Sequence, residues 1–382
     1  MSPYNKRISF LANPKFLFWV YFVVAVGASV HRYILGPEHY GNYLIFKNSF
    51  YHLLSGKDLY AFYPELHIDL FKYSPTFAAL FSPFTFLPDY IGLVGWNLLN
   101  AMALFFAIKA IDVDSTKKVY VLWFILIELI TSMQNYQSNA LTSSLIIFVF
   151  IFLERKNYLF AGVCVAFGFF IKLFGALGAL FWFIYSGKPR FFISACISMI
   201  VLLALPLVFV SPCQLIDIYK KWFNMLSADS SHELNHSVMS IMKNWFGLNV
   251  NKMYTQIVGM ILLVIPLIKW NLFSEKYFRL LFLSSILIWT VIFNHKAESA
   301  TYIIAVVGCA IWFFNFGKSI LDNSLLILLF VLTILSPTDL FPKDIRDNFI
   351  VPYSLKALPC IFIWIKIQYE LLIFRGRIAE TN

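Results

Sequence analysis

Apolar stretches long enough to cross a lipid bilayer recur from one end of this chain to the other, and nothing else limits its fold as much. Phe16–Ile34 and Tyr90–Ile111 each approach the roughly 20 residues that a transmembrane helix needs. Of the 382 residues, 60% are hydrophobic and 13% charged, and the mean hydropathy is +0.74. A soluble domain carries about 45–50% apolar and about 25% charged residues. The chain therefore reads as an integral membrane protein with many spans, its 42 Phe and 20 Tyr suited to lipid-facing surface and interfacial belts.

The net charge of +10 points to orientation rather than to nucleic acid. Lys and Arg accumulate in cytoplasmic loops, and no compact basic run is present, so no nucleic-acid partner is expected. Cys164, Cys196, Cys309 and Cys360 fall within apolar runs and Cys213 stands at a span end, with no C-x-x-C pair and no disulfide framework. No small-residue cleavage site follows Phe16–Ile34, so that run is read as a span rather than a signal peptide.

Lys6, Arg7 and Lys15 place the start of the chain in the cytoplasm. The first span leads to an outer loop, residues 35–75. Within it Asn42–Leu54 has apolar residues at helical spacing and reads as an amphipathic helix lying in the interface. Pro75–Pro88 is too short to cross alone and reads as a bent lead-in to Tyr90–Ile111. Further spans follow at Val119–Met133, Ala140–Leu153, Tyr158–Ile171, Leu173–Tyr185, Phe191–Val210, Met253–Ile268, Leu280–Phe293, Thr301–Phe316, Leu321–Leu335 and Tyr353–Phe374. The expected architecture is an all-α polytopic membrane protein of about twelve transmembrane helices, both termini cytoplasmic, residues 1–382 forming one integral membrane domain.

In this arrangement every cytoplasmic connection between spans is short and basic. The acids gather on the other side: Glu38, Asp58, Glu65, Asp69, Asp217, Asp229, Glu233, Glu298, Asp339, Asp344 and Asp347. Candidate chemistry therefore collects at the non-cytoplasmic face, with a second long outer loop at residues 211–251. No internal repeat with paired broken helices, a frequent mark of transporters, is evident.

Five clusters stand out. Asp69-Leu-Phe-Lys72-Tyr73-Ser74-Pro75 sets an acid, a base and a phenol just before a helix start. The amides of that start attract anions such as phosphate and Lys72 adds a positive charge, although Lys and Tyr also serve as plain interfacial anchors. Lys172 lies between two apolar runs, where it could hold a lipid phosphate or snorkel into the outer headgroups, and Glu128 raises the same question. Asn294-His295-Lys296-Ala297-Glu298 puts three ionisable groups in one outer turn, with a His fit to shuttle protons and a Glu fit to act as base; any exposed turn is also polar. His232-Glu233-Leu234-Asn235-His236 matches the H-E-x-x-H zinc pattern, yet a loop-like Ser227–Ser231 precedes it and no third ligand follows, so no metal is expected. Asn235-His236-Ser237 is also a glycosylation sequon. The amides and hydroxyls of Gln134–Asn139 suit sugar hydroxyls, or an ordinary polar turn.

Together these stretches resemble glycosyltransferase family 87, a polytopic GT-C group that includes polyprenyl-phosphate-mannose-dependent mannosyltransferases. The resemblance runs through Tyr43-x-x-Phe46, Leu53-Leu54-x-Gly56-x-Asp58-Leu59-Tyr60, Tyr73-Ser74-Pro75, Ala78-Ala79-Leu80 and Leu87-Pro88. It continues at Gln137-x-Asn139, Gly168-x-x-x-Lys172-Leu173, Asn235-His236-Ser237 and the His295 turn. It implies transfer of a hexose, mannose by preference, from a polyprenyl-phosphate donor to a lipid or glycan acceptor at the non-cytoplasmic face of a bacterial inner membrane. Inversion follows from a single displacement. Membrane lipids and the lipid-linked donor are the implied partners, and no cofactor beyond that donor is implied.

The residues implied for catalysis are Asp69, His295, Glu298 and Glu38. Those implied for substrate binding are Asn42, Asp58, Tyr60, Lys72, Tyr73, Gln137, Asn139, Lys172, Asn235, His236 and Lys296. The family carries an Asp shortly after the first span as general base, and Asn42 stands in that position here. An amide cannot accept the acceptor's proton, so Asp69 is the nearest substitute. The competing readings are a lipid or glycan transporter, a catalytically inactive glycan-binding membrane protein, and a membrane zinc protease built on His232-Glu233-x-x-His236.

Overall fold

The computed structural model describes residues 11–67, 69–228 and 236–374. In chain order its helices are α1 (Pro14–Leu35), α2 (Gly41–Leu54), the short α3 (Pro75–Leu80) and α4 (Ser82–Thr85), α5 (Asp89–Ala110), α6 (Ser115–Gln134), α7 (Asn139–Glu154) and α8 (Tyr158–Ile171). A 3-10 stretch, Leu173–Phe183, leads to α9 (Lys188–Ala204), α10 (Pro212–Ala228), α11 (Val238–Phe246), α12 (Lys252–Val264), α13 (Lys276–Ile292), α14 (Ile303–Phe316), α15 (Ile320–Leu328) and α16 (Leu358–Ile373). No strand occurs among the described residues.

Four of these helical segments are long and apolar enough to cross a membrane: Pro14–Leu35, Asp89–Ala110, Lys188–Val208 and Ser299–Phe316. A fifth candidate is the pair Lys343–Ile350 and Leu355–Ile373, bent by 88°. The described residues are all helical, as expected, and four to five helices are long and apolar enough to cross, fewer than the twelve spans expected. Several expected spans are broken or short. Tyr158–Ile171 and Leu173–Phe183 have 14 and 11 residues. Their helical rises give lengths of about 21 and 22 Å, less than the ~30 Å hydrocarbon core. The segment 211–251, expected to be a loop, contains α10 and α11.

The described chain clusters into two compact units. Among the described residues the first comprises 11–67, 69–112, 132–179 and 189–228, and the second 113–131, 180–188 and 236–374. In the first, α1 packs on α5, α5 on α7 and α7 on α8. The helix expected over Asn42–Leu54 forms as α2. Tyr43, Phe46, Phe50 and Leu53, three to four residues apart, are its buried face. Phe46 meets Phe77 of α3 at 4.9 Å and Trp96 of α5 at 6.0 Å between ring centroids, both edge to face. Such pairs add about 0.5–1.5 kcal/mol each beyond the area they bury.

Local signals explain where α3 and α8 start and stop. Ser74 caps α3, its hydroxyl accepting from the Phe77 amide at 3.0 Å, and Pro75 fills the first helical position. The same hydroxyl donates to the Phe170 carbonyl at 2.5 Å, which ties the start of α3 to the end of α8. Helix α8 ends at Lys172, whose backbone is extended (φ −157°, ψ 116°). Beyond it the chain doubles back so closely that a Cβ on Gly168 would stand 2.6 Å from the Gly175 carbonyl oxygen, and one on Gly175 would stand 2.5 Å from that of Gly168. Only glycine fits at both positions, and Lys172 occupies the corner between them.

In the second unit α13 packs against α14 and α16. Helix α13 is buried on every side from Leu280 to Ile292, as expected of a helix that is apolar all round. Before α16 the segment from Pro352 to Ala357 makes a sharp corner, with Ser354 in the left-handed region at φ +53°. It is held from outside. Asn244 and Trp245 of α11 donate to the carbonyls of Pro352 and Tyr353, each at 2.8 Å, and Thr333 donates to that of Lys356 at 2.8 Å.

Candidate active site

The first unit gathers many of the expected substrate-binding residues around the turn between α6 and α7. Tyr136 sits there with a left-handed backbone, φ +50°, uncommon for a bulky residue. Its ring is fully buried. Three bonds hold the turn: the Tyr136 hydroxyl donates to the Ser29 carbonyl at 3.3 Å, Trp96 Nε1 to the Tyr136 carbonyl at 3.0 Å, and Asn42 Nδ2 to the Asn135 carbonyl at 2.9 Å. Strain retained under that many constraints is a mark of functional backbone.

The side chains on this turn form a relay. Lys172 Nζ donates to Asn139 Oδ1 at 2.6 Å, and Asn139 Nδ2 donates to Gln137 Oε1 at 2.6 Å. Gln137, Ser138 and Asn139 are all buried. Ser138 donates to the Tyr73 hydroxyl at 3.4 Å, and the Tyr60 hydroxyl donates to the Tyr73 carbonyl at 3.2 Å. Tyr60 in turn gives its amide to Asp58 Oδ1 at 2.9 Å, while Lys221 pairs with Asp58 Oδ2 at 2.8 Å. Burial alone would raise the Asp58 carboxyl. The Lys221 hydrogen bond, the Tyr60 amide and the Lys221 charge together outweigh it and hold the group below the usual range. Beside Asp58 a cavity of about 150 Å³ is lined by Gly56, Lys57, Gln214, Asp217 and Lys221 among others.

Asn42, Asp58, Tyr60, Tyr73, Gln137, Asn139 and Lys172 thus belong to one connected network of bonds and sequence neighbours. Asp69 and Lys72 pair with each other at 2.9 Å, the carboxylate exposed and also accepting from the Leu70 amide at 2.7 Å. Glu38 is exposed and lies 3.6 Å from the His39 ring. The Asn42 contact bears on the departure from the family pattern. Its amide acts as a donor to a carbonyl, a task that a carboxylate in the same place cannot perform.

In the second unit two expected clusters come together. The His236 amide donates to the Ala297 carbonyl at 3.0 Å, within the turn that carries His295, Lys296 and Glu298. Tyr302 closes the arrangement by donating its hydroxyl to the His236 carbonyl at 2.7 Å. Glu298 is exposed, while His295 and Lys296 are half-buried. Asn294 Oδ1 accepts from the Lys296 amide at 3.0 Å and shapes the turn. Asn235, together with His232 and Glu233 of the H-E-x-x-H pattern, lies outside the described residues.

Burial first, and the nearby Lys356 charge second, push the His236 imidazole down to about 4. The fold therefore holds it neutral. Its contribution to stability is complete above the ordinary ~6.5 and is lost as pH falls toward 4, because the unfolded chain binds the proton first. We expect a loss of about 3 kcal/mol across that window, seen as a falling thermal midpoint, and a flatter profile for His236→Asn.

Sequence reasoning missed Lys221, Ser299, Tyr302 and Lys356. The last is 1% exposed and bonds Glu128 Oε1 at 3.0 Å and Ser299 Oγ at 2.9 Å. A lysine within the expected final span was itself the signal that could have flagged it.

No functionally curated protein matches the chain. Residues 71–337 match glycosyltransferase family 87. That range takes in Lys72, Tyr73, the Gln137–Asn139 turn, Lys172 and the His295 turn, and it begins after Glu38, Asn42, Asp58, Tyr60 and Asp69. With a match over most of its length, this all-helical chain belongs to glycosyltransferase family 87.

Proposed function

We propose that the chain transfers a hexose, mannose by preference, from a polyprenyl phosphate to a hydroxyl of a lipid or glycan acceptor, with inversion. In this reading it crosses a bacterial inner membrane about twelve times with both termini cytoplasmic, the shorter apolar helices serving as tilted or broken spans. Helix α2 lies at the non-cytoplasmic interface. The acceptor oxygen attacks the anomeric carbon, the bond from that carbon to the phosphate oxygen breaks, and the lipid phosphate leaves as an anion. The acceptor's proton passes to a carboxylate, with Asp69 the candidate of the first unit. Asp58 and its polar cavity suit sugar hydroxyls.

The Lys172–Asn139–Gln137 relay carries the reading. A displacement of this kind is accelerated by a cation already fixed where negative charge develops. Lys172 is such a cation: it stands at a backbone corner that needs two glycines, and its ammonium is oriented by an amide on a strained turn.

The rival reading, an inactive glycan-binding protein, rests on Asn42. Purified protein in lipid nanodiscs, supplied with polyprenyl-phosphate mannose and candidate acceptors and followed by product mass, separates the two. We expect the parent to transfer sugar and Asn42→Asp to transfer less, because a carboxylate cannot donate to the Asn135 carbonyl and the turn loses that tie. An inert parent whose activity appears with Asn42→Asp would overturn the proposal.

A further inference from the structure

In the second unit a carboxylate and an ammonium are withdrawn from solvent, Glu128 at 0% and Lys356 at 1% side-chain exposure. Replacing such a pair by apolar residues often leaves a protein as stable or more so, which makes placement of neighbouring groups the better account of its presence. The contacts of Lys356 indicate what is placed. Its main chain is pinned by Thr333 at the corner before α16. Its ammonium reaches Glu128 on α6 and, at 2.9 Å, the hydroxyl of Ser299, the residue that follows Glu298. It also stands 5.2 Å from the centre of the Tyr302 ring, within cation–π range. Tyr302 holds the His236 carbonyl, and the His236 amide holds the Ala297 carbonyl. The turn Asn294–Glu298 is therefore gripped at its exit by Ser299 and at Ala297 through Tyr302 and His236, and both grips lead back to Lys356.

We propose that Glu128 and Lys356 are positioning residues that set the His295–Lys296–Glu298 turn through Ser299 and Tyr302. This rests on the transferase reading for the purpose of that turn, but not for the mechanical linkage itself. Glu128 anchors the ammonium from α6, so the lysine cannot turn toward other acceptors. The ammonium then acts on two side chains three residues apart that flank one end of the turn. Neither positioning residue needs to touch substrate.

The test reads the turn directly. In a Cys196→Ser, Cys213→Ser background, Glu298→Cys provides a maleimide target on the exposed end of the turn. The rate of labelling is compared in that parent, in Glu128→Leu with Lys356→Met, and in Ser299→Ala with Tyr302→Phe, which keeps the ion pair and cuts both links. Faster labelling in both variants, with thermal midpoints near the parent's, is expected. With Glu298 intact, the same two variants should show a kcat lowered by about 10²-fold, the scale for a misplaced catalytic group, and donor KM little changed. Should the ion-pair variant not fold, the Ser299→Ala with Tyr302→Phe protein carries the test alone. Parent-like labelling in that folded variant overturns the proposal. Labelling needs no sugar transfer, so a protein without transferase activity would defeat the functional reading while leaving the linkage measurable.

Discussion

Lys172→Met should lower donor-dependent sugar transfer by about 10²- to 10³-fold, the usual loss when one preorganised stabiliser of developing negative charge is removed. Methionine keeps the unbranched shape and removes only the ammonium, so α8 and the Gly168–Gly175 approach have no reason to change. The thermal midpoint should fall by no more than the loss of one hydrogen bond to buried Asn139 allows, about 1–3 kcal/mol, while product formation drops by the factor above. Lys172→Arg should fall between the two, because a wide planar fork cannot occupy the place of a compact ammonium bonded 2.6 Å from Asn139 Oδ1. A lysine that merely reaches into outer headgroups predicts parent rates for both substitutions. Lys172→Met transferring at the parent rate would remove Lys172 from the mechanism and the relay from the proposed site.

Much of the first unit's site was legible because it is built from local signals. Ser74-Pro75 announces a helix start and the structure caps α3 there. Gln134–Asn139 reads as a polar turn between two apolar runs and becomes the strained turn around Tyr136. Lys172 stands out as a charge between apolar runs and ends α8. What pattern could not supply is partnership across the chain. Nothing near Asn42 in sequence shows that its amide serves the Asn135 carbonyl, 93 positions on. Glu128 was visible as a charge in an apolar run, yet its partner lies 228 positions away, in a segment whose hydropathy passes for a span. The difference between about twelve expected spans and four to five helices long and apolar enough to cross has a related reason. Hydropathy averages over breaks, so the Ile265–Ile268 stretch, 3-10 with a proline in its first turn, vanishes into a longer apolar run. In the loop 211–251, helix α10 was hidden by a composition too mixed to stand out as apolar.

The largest stability effect should come from Glu128 and Lys356 taken singly. Glu128→Leu leaves a buried ammonium with the Ser299 hydroxyl and the Tyr302 ring but no carboxylate, and Lys356→Met leaves a buried carboxylate with its cation gone. Breaking a buried pair in this way costs about 3–5 kcal/mol, since the remaining charge loses its counterpart but not its desolvation. The double variant Glu128→Leu with Lys356→Met replaces both charges by apolar side chains and should sit within about 1 kcal/mol of the parent, or above it. The four proteins form a double-mutant cycle, measured by denaturant or thermal unfolding in one detergent. The coupling should be several kcal/mol, well beyond the ~0.5 kcal/mol within which independent sites add. Additive losses would mean that each side chain is satisfied separately and that no pair exists to brace the His295 turn. A strong coupling with a stable double variant would instead separate two roles that a static structure merges: the charges would be dispensable for holding the second unit together, and what their loss did to the turn could then be read without unfolding in the way.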